Sequence, residues 1–148
     1  MADDRVSLTE ALRDWEHRAD QHLAAGIALV QRWADAFPAA SLPFRLARIH
    51  GESNTLLRWR SHSRQPGVPR GSRFELIDAA STFNTLPASV RSAVLDFERR
   101  RIQINYEYAV AAYRVQRIKA LSSQHTALAE LRRLHRSIAD PETPSSAR

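Results

Sequence analysis

Five arginines fall within the eighteen residues Leu56–Arg73, at Arg58, Arg60, Arg64, Arg70 and Arg73, together with two glycines, two prolines and no acid. A guanidinium is a permanently charged planar donor whose preferred partners are carboxylate and phosphate oxygens. With no carboxylate in the segment, the chemistry this spacing offers is contact with the phosphates of a polyanion. Arg58 and Arg60 stand two apart, so on a strand they share one face, with Leu57 and Trp59 on the other. Arg64, Arg70 and Arg73 follow in a Pro-Gly-rich stretch, 63–73, that reads as a basic loop. The competing reading pairs Arg58 and Arg60 with Glu75 and Asp78 or with acids of the first helix. That pairing absorbs only part of the patch, because the whole chain keeps a net charge of +6.

Other chemistries are less supported. There is no cysteine, so disulfides and thiolate metal sites are excluded. Of six histidines, only His17 has a carboxylate three residues before it, Asp14, and His17 and His22 do not share a helical face. No metal and no cofactor is expected. Gly51-Glu52-Ser53-Asn54-Thr55 lacks the second glycine of a nucleophile elbow, and Gly67–Ser72 lacks the Gly-Lys step of a phosphate loop. Glu16 and Asp20, four apart, read as a solvated pair. The expectation is a protein that is not an enzyme. Tyr106, Tyr108 and Tyr113 are of a type that stacks on bases, but their helical spacing predicts a core position against Trp15 and Trp33.

The elements that must position these residues follow from periodicity. Ser7–Glu10 matches a capping box. Apolar residues at Leu8, Leu12, Trp15, Ala19, Leu23, Ile27, Val30, Ala34 and Phe37 then predict a helix of about 30 residues that Pro38 stops. Gly26 inside it suggests a close helix crossing. Alternation over 44–62, around Gly51 and Asn54, predicts a β-hairpin. Phe74–Thr85 reads as a short helix, and Pro87 suits the first turn of the next one.

From Ala88 to Ile138 no proline intervenes. One stripe runs Val90, Val94, Phe97, Ile104, Tyr108, Ala111, Val115 and Ile118, interrupted at Arg101. A second stripe, Leu95, Ile102, Tyr106, Ala109, Val110 and Tyr113, is expected to widen the apolar face. A helix of about 75 Å exceeds what a first helix of about 45 Å covers. Either it bends at Ser122-Ser123, or a seam of Leu121, Leu128, Leu131 and Ile138 binds a partner or a second copy. Arg99 and Arg100 join the candidate nucleic-acid contacts, although with Arg101 they spread over about 200° of a helix and cannot all face one partner.

The architecture predicted is a single, mainly α domain over 1–148: two long antiparallel helices, a short helix and a small β-hairpin. Residues 1–6 and 140–148 are expected to be disordered tails. The excess charge is local: 41–73 carries +6 and 88–138 carries +6, while no other stretch is positive. Only one of 22 basic residues is a lysine, a skew that a GC-rich genome also produces, so location is the better guide. The start MADDRVS is acidic with no apolar run after it, and Ala24–Val30 is far short of the about 20 residues that span a bilayer. The chain reads as cytoplasmic, with no membrane partner.

The helix ending near Phe37-Pro38, the segment Gly51–Arg60 with its pattern G-x-x-x-T-L-L-R-W-R, and the long C-terminal helix resemble a family of unknown function. That family is carried on integrating conjugative elements of proteobacteria, and some members are labelled integrase regulators. The resemblance implies an accessory protein of a mobile element near DNA processing or its regulation, and it supplies no catalytic residues. The expected function is nucleic-acid binding, DNA in the first place, by a non-enzymatic accessory or regulatory protein. The alternative is a helical protein–protein interaction module or homodimer.

Overall fold

The computed structural model describes residues 2–38, 41–50, 55–61 and 74–139, with side chains from Ser7 onward. Helix α1 spans Ala2–Ala36 and helix α3 spans Ala88–Ala139. Between them lie strands β1, Phe44–Arg48, and β2, Leu57–Ser61, then a 3-10 turn, Leu76–Ala79, that leads into the single-turn helix α2, Ala80–Phe83. The fold is mainly helical, as the periodicity predicts. Two boundaries differ. The short helix is half 3-10 in character, and α1 begins at Ala2, which puts Ser7 inside the helix. The Ser7–Glu10 box therefore does not cap it, and 2–6 is helix, not a tail. The predicted turn, the basic loop 63–73 and the tail 140–148 lie outside the described residues.

α1 and α3 run antiparallel. Lys119 Nζ lies 3.8 Å from Glu16, His22 Nδ1 lies 3.3 Å from Glu107, and Trp33 stacks edge-on to Phe97 at 5.1 Å. This register lays Ser7 against about residue 126. α3, about 78 Å long, runs past its partner helix, about 52 Å long. No break in α3 occurs at Ser122-Ser123.

The hairpin is antiparallel, with Phe44 opposite Ser61, Leu46 opposite Trp59 and Arg48 opposite Leu57. Its inner face buries Phe44, Leu46, Leu57 and Trp59. These meet Leu29 and Trp33 of α1 and Val94 of α3 in one core. The core is organised by aromatic rings. Trp33 lies 5.0 Å from Trp59 and 4.5 Å from Phe37, and Trp59 lies 5.5 Å from Phe44, several of these pairs in the edge-to-face geometry that ring quadrupoles favour. Gly26 marks a close approach, but to the hairpin and not to a helix. A Cβ there would sit 2.6 Å from Leu56 Cδ2.

Two polar groups of α3 dock the hairpin. Asn105 accepts from the N–H of Leu57 at 2.9 Å and of Leu56 at 3.2 Å, and its amide donates to the Leu57 carbonyl at 2.9 Å. It thus satisfies backbone groups that no third strand pairs. Glu98 accepts from the Trp59 indole N–H at 2.6 Å and from Arg101 Nε at 2.7 Å, and Arg101 also reaches Glu75 at 3.4 Å.

The core corrects the tyrosine assignment. Tyr108 packs partly against it, but Tyr106 is 66 % exposed and Tyr113 is 58 % exposed. Trp33 is filled by phenylalanine and tryptophan neighbours, and Trp15 is covered by the guanidinium groups of Arg18 at 4.4 Å and Arg114 at 5.6 Å. The second stripe of α3 does not widen the buried face.

Candidate nucleic-acid interface

Strand alternation sorts the hairpin's side chains as the spacing predicts. Leu57 and Trp59 point into the core, and Arg58 and Arg60 point away from it. The register adds what the sequence reading missed: Arg45 of β1 stands directly opposite Arg60, and Ala47 opposite Arg58. Like charges directly across a strand pair are destabilising, by about 0.2–1 kcal/mol relative to alanine. The signal available in the sequence was the period-two pattern of Phe44-Arg45-Leu46, but the cross-strand register was needed to use it. The Nε atoms of Arg48 and Arg60 are buried with no hydrogen-bond partner among the described residues.

Arg58 has a different setting. It lines a cleft with Thr55, Phe74, Glu75 and Asp78, and it has partners within the fold. The bridge between Trp59 and Phe74 brings this acidic segment alongside β2. Arg58 thus shares a cleft with Glu75 and Asp78, two of the acids with which the competing reading pairs it. Arg64, Arg70 and Arg73 lie outside the described residues.

The basic triplet divides three ways. Arg101, which interrupts the apolar stripe, is buried at 8 % exposure. Both of its donor edges grip Glu98, at 2.7 and 2.8 Å. Burial pushes the Glu98 carboxyl up, but the hydrogen bonds from Arg101 and Trp59 and the Arg101 charge outweigh it and hold the group below its ordinary value. The same Glu98 bond, opposed by burial, raises the Arg101 guanidinium further.

Arg100 lines a groove of about 290 Å³ between α1 and α3, with Arg32 at its rim and Ala28, Leu29 and Ile104 below. Arg99, Arg100 and Gln103 border an adjacent hollow. No hairpin residue lines either hollow. Among the described residues no carboxylate pairs with Arg45, Arg60, Arg99 or Arg100, whereas Arg18, Lys119 and Arg133 pair with Asp14, Glu16 and Glu130. Asp14, the carboxylate three residues before His17, is paired with Arg18 at 3.1 Å.

The predicted seam is at the surface. Leu121, Leu128, Leu131 and Ile138 are all exposed, Leu131 at 63 % and Ile138 at 78 %. No helix among the described residues is long and apolar enough to cross a membrane. No family model, no curated protein and no solved structure matches this chain.

Proposed function

We propose that the protein is a non-enzymatic nucleic-acid-binding accessory or regulatory protein that contacts phosphates through the outer face of its hairpin. The observation that carries this reading is the cross-strand pair Arg45–Arg60. Two guanidinium groups side by side on a rigid ribbon, with no carboxylate partner among the described residues, form a cost that a bridging phosphate relieves. The acid-free run Arg64, Arg70 and Arg73 follows β2 directly in the sequence. Such contacts give affinity with little sequence discrimination. The role on a mobile element rests on the resemblance of Gly51–Arg60 alone.

The test is binding to a short DNA duplex at about 50 mM and about 200 mM salt, where release of counterions steepens the salt response with each phosphate neutralised. Arg45→Ala with Arg60→Ala should weaken binding about tenfold at low salt and flatten the salt slope by about two phosphates. Affinity that is undetectable at low salt, or indifferent to salt, removes the proposal.

A second reading, a helical interaction module, is favoured by the exposure of Leu121, Leu128, Leu131 and Ile138 toward the C-terminal end of α3, whose last turns outrun α1. Apolar side chains in such a row mark surfaces that another molecule covers.

A further inference from the structure

We infer that the outer face of α3 seats a second copy of this chain, packed antiparallel about a two-fold axis at Tyr113. The inference deepens the second reading above and does not depend on the first. It starts from the stripe that the core leaves out. On a helix of 3.6 residues per turn, Leu95, Ile102, Tyr106, Tyr113, Leu131 and Ile138 fall within about 20° of one line. All six are exposed. The line lies opposite the side that Phe97 and Ile104 turn to the core, so neither α1 nor the hairpin covers it.

Two leucines of the line stand symmetrically about Tyr113, while Ile102 comes opposite Gln124. Leu95 and Leu131 are each 18 residues, or five turns, from Tyr113. A repeat of 3.6 residues runs straight along the axis, so two such helices meet with nearly parallel axes and no supercoil. An antiparallel copy centred on Tyr113 sets Leu95 against the partner's Leu131. It sets Tyr106 against the partner's Ala120 and Ile138 against the partner's Ala88, a large side chain opposite a small one each time. The arginines at the border agree with this direction. Arg99 and Arg117 come opposite the partner's Ala127 and the partner's Ala109, where their aliphatic stems cover methyl groups. In a parallel pair each would meet its own copy at the same level, which like charges oppose.

The area suffices. A face from Ala88 to Ile138, about 75 Å long and about 10 Å wide, offers about 750 Å² per partner, near the about 800 Å² of a standard interface. A polyanion has no use for the leucine and isoleucine along the line, nor for symmetry about one residue.

The absence of native cysteine gives a clean probe. Helix axes about 8–10 Å apart bring facing Cα atoms on the dyad to about 4–5 Å, within disulfide reach. Under mild oxidation Tyr113→Cys should link to itself. Leu95→Cys alone should not, and Leu95→Cys mixed with Leu131→Cys should. The full chain should sediment as a dimer, and Tyr113→Asp should weaken that dimer about tenfold or more with helical circular dichroism unchanged.

A chain that stays monomeric at tens of micromolar overturns the inference and removes the homodimer from the second reading, leaving it only a partner of different sequence. A dimer in which Tyr113→Cys fails to link, or Tyr113→Asp leaves association intact, overturns the inference and spares that reading. A monomer whose duplex affinity falls in Tyr113→Asp assigns the face to nucleic acid and also overturns it.

Discussion

Around Val94–Asn105, α3 has α1 on one side and the hairpin on another; from Leu131 to Ala139 every residue is exposed. Both stretches are equally helical, so burial is not what makes this helix continue. At the far end the local sequence suffices, with leucine, alanine and arginine as strong helix formers and Glu130 paired to Arg133 one turn on. At the hairpin end the same backbone carries a second task. It must present Glu98, Arg101 and Asn105 to a two-stranded sheet that on its own would be marginal in water. Global stability is therefore concentrated in the hairpin third of the molecule, while the far third is available for association.

Substitutions sharpen that contrast in descending order. Trp59→Ala removes the ring at the centre of the aromatic cluster and takes the indole donor from the Glu98 carboxylate, which keeps Arg101. It should cost about 3–5 kcal/mol in urea unfolding, and a loss below about 1 kcal/mol would move the stability centre elsewhere.

Arg101→Met should cost about 3 kcal/mol or more at neutral pH, because Glu98 then stays buried with only the indole as partner. The pH dependence gives the sign. In the parent protein Glu98 titrates below its ordinary range, so its stabilisation is full above the unfolded value and is lost as pH falls through the folded one. In the variant, burial dominates and raises the carboxyl. The deficit should then shrink as the solution is acidified through the range of ordinary carboxylates. A deficit that grows on acidification contradicts the network.

Asn105→Ala leaves two strand N–H groups and a carbonyl without their partner and should cost about 1–3 kcal/mol, read by hydrogen exchange at Leu56 and Leu57.

Gly26→Ala sets a gain of about 1 kcal/mol in helix propensity against overpacking on Leu56 of about 1–3 kcal/mol. A net loss of about 1 kcal/mol is expected, and a net gain in melting temperature would mean that Leu56 moves aside freely.

Leu131→Ala, assayed at concentrations too low for association, should stay within about 0.5 kcal/mol. An effect as large as that of Asn105→Ala would erase the difference between the two ends.

How far the sequence reaches depends on whether a residue answers to its own element or to another. Pro38 ends α1 within two residues of the expected point, and the alternation Leu57-Arg58-Trp59-Arg60 gives the correct faces, because proline geometry and strand pleat are local. Tyr106 and Tyr113 stand outside the core because two stripes of similar apolarity lie on one helix, and nothing in a single stripe says which one another helix will choose. Arg101 looked like an interruption and is a buried anchor. A Glu-x-x-Arg spacing is common on solvated helices, and only the tryptophan of a distant strand makes this one internal. Arg45 carries no signal in the sequence for the same reason, since its significance is the arginine across the sheet.

The chain by itself determined the helices, their stops, the hairpin's inner and outer faces and the two regions of excess positive charge, all set by steric and periodic rules acting over a few residues. The tertiary structure decided which stripe of α3 is covered, which arginine of the triplet is neutralised, and which arginine stands beside Arg60. Those outcomes depend on surfaces brought together from 15 to 64 residues apart along the chain, where packing complementarity and desolvation, not local propensity, select the partner.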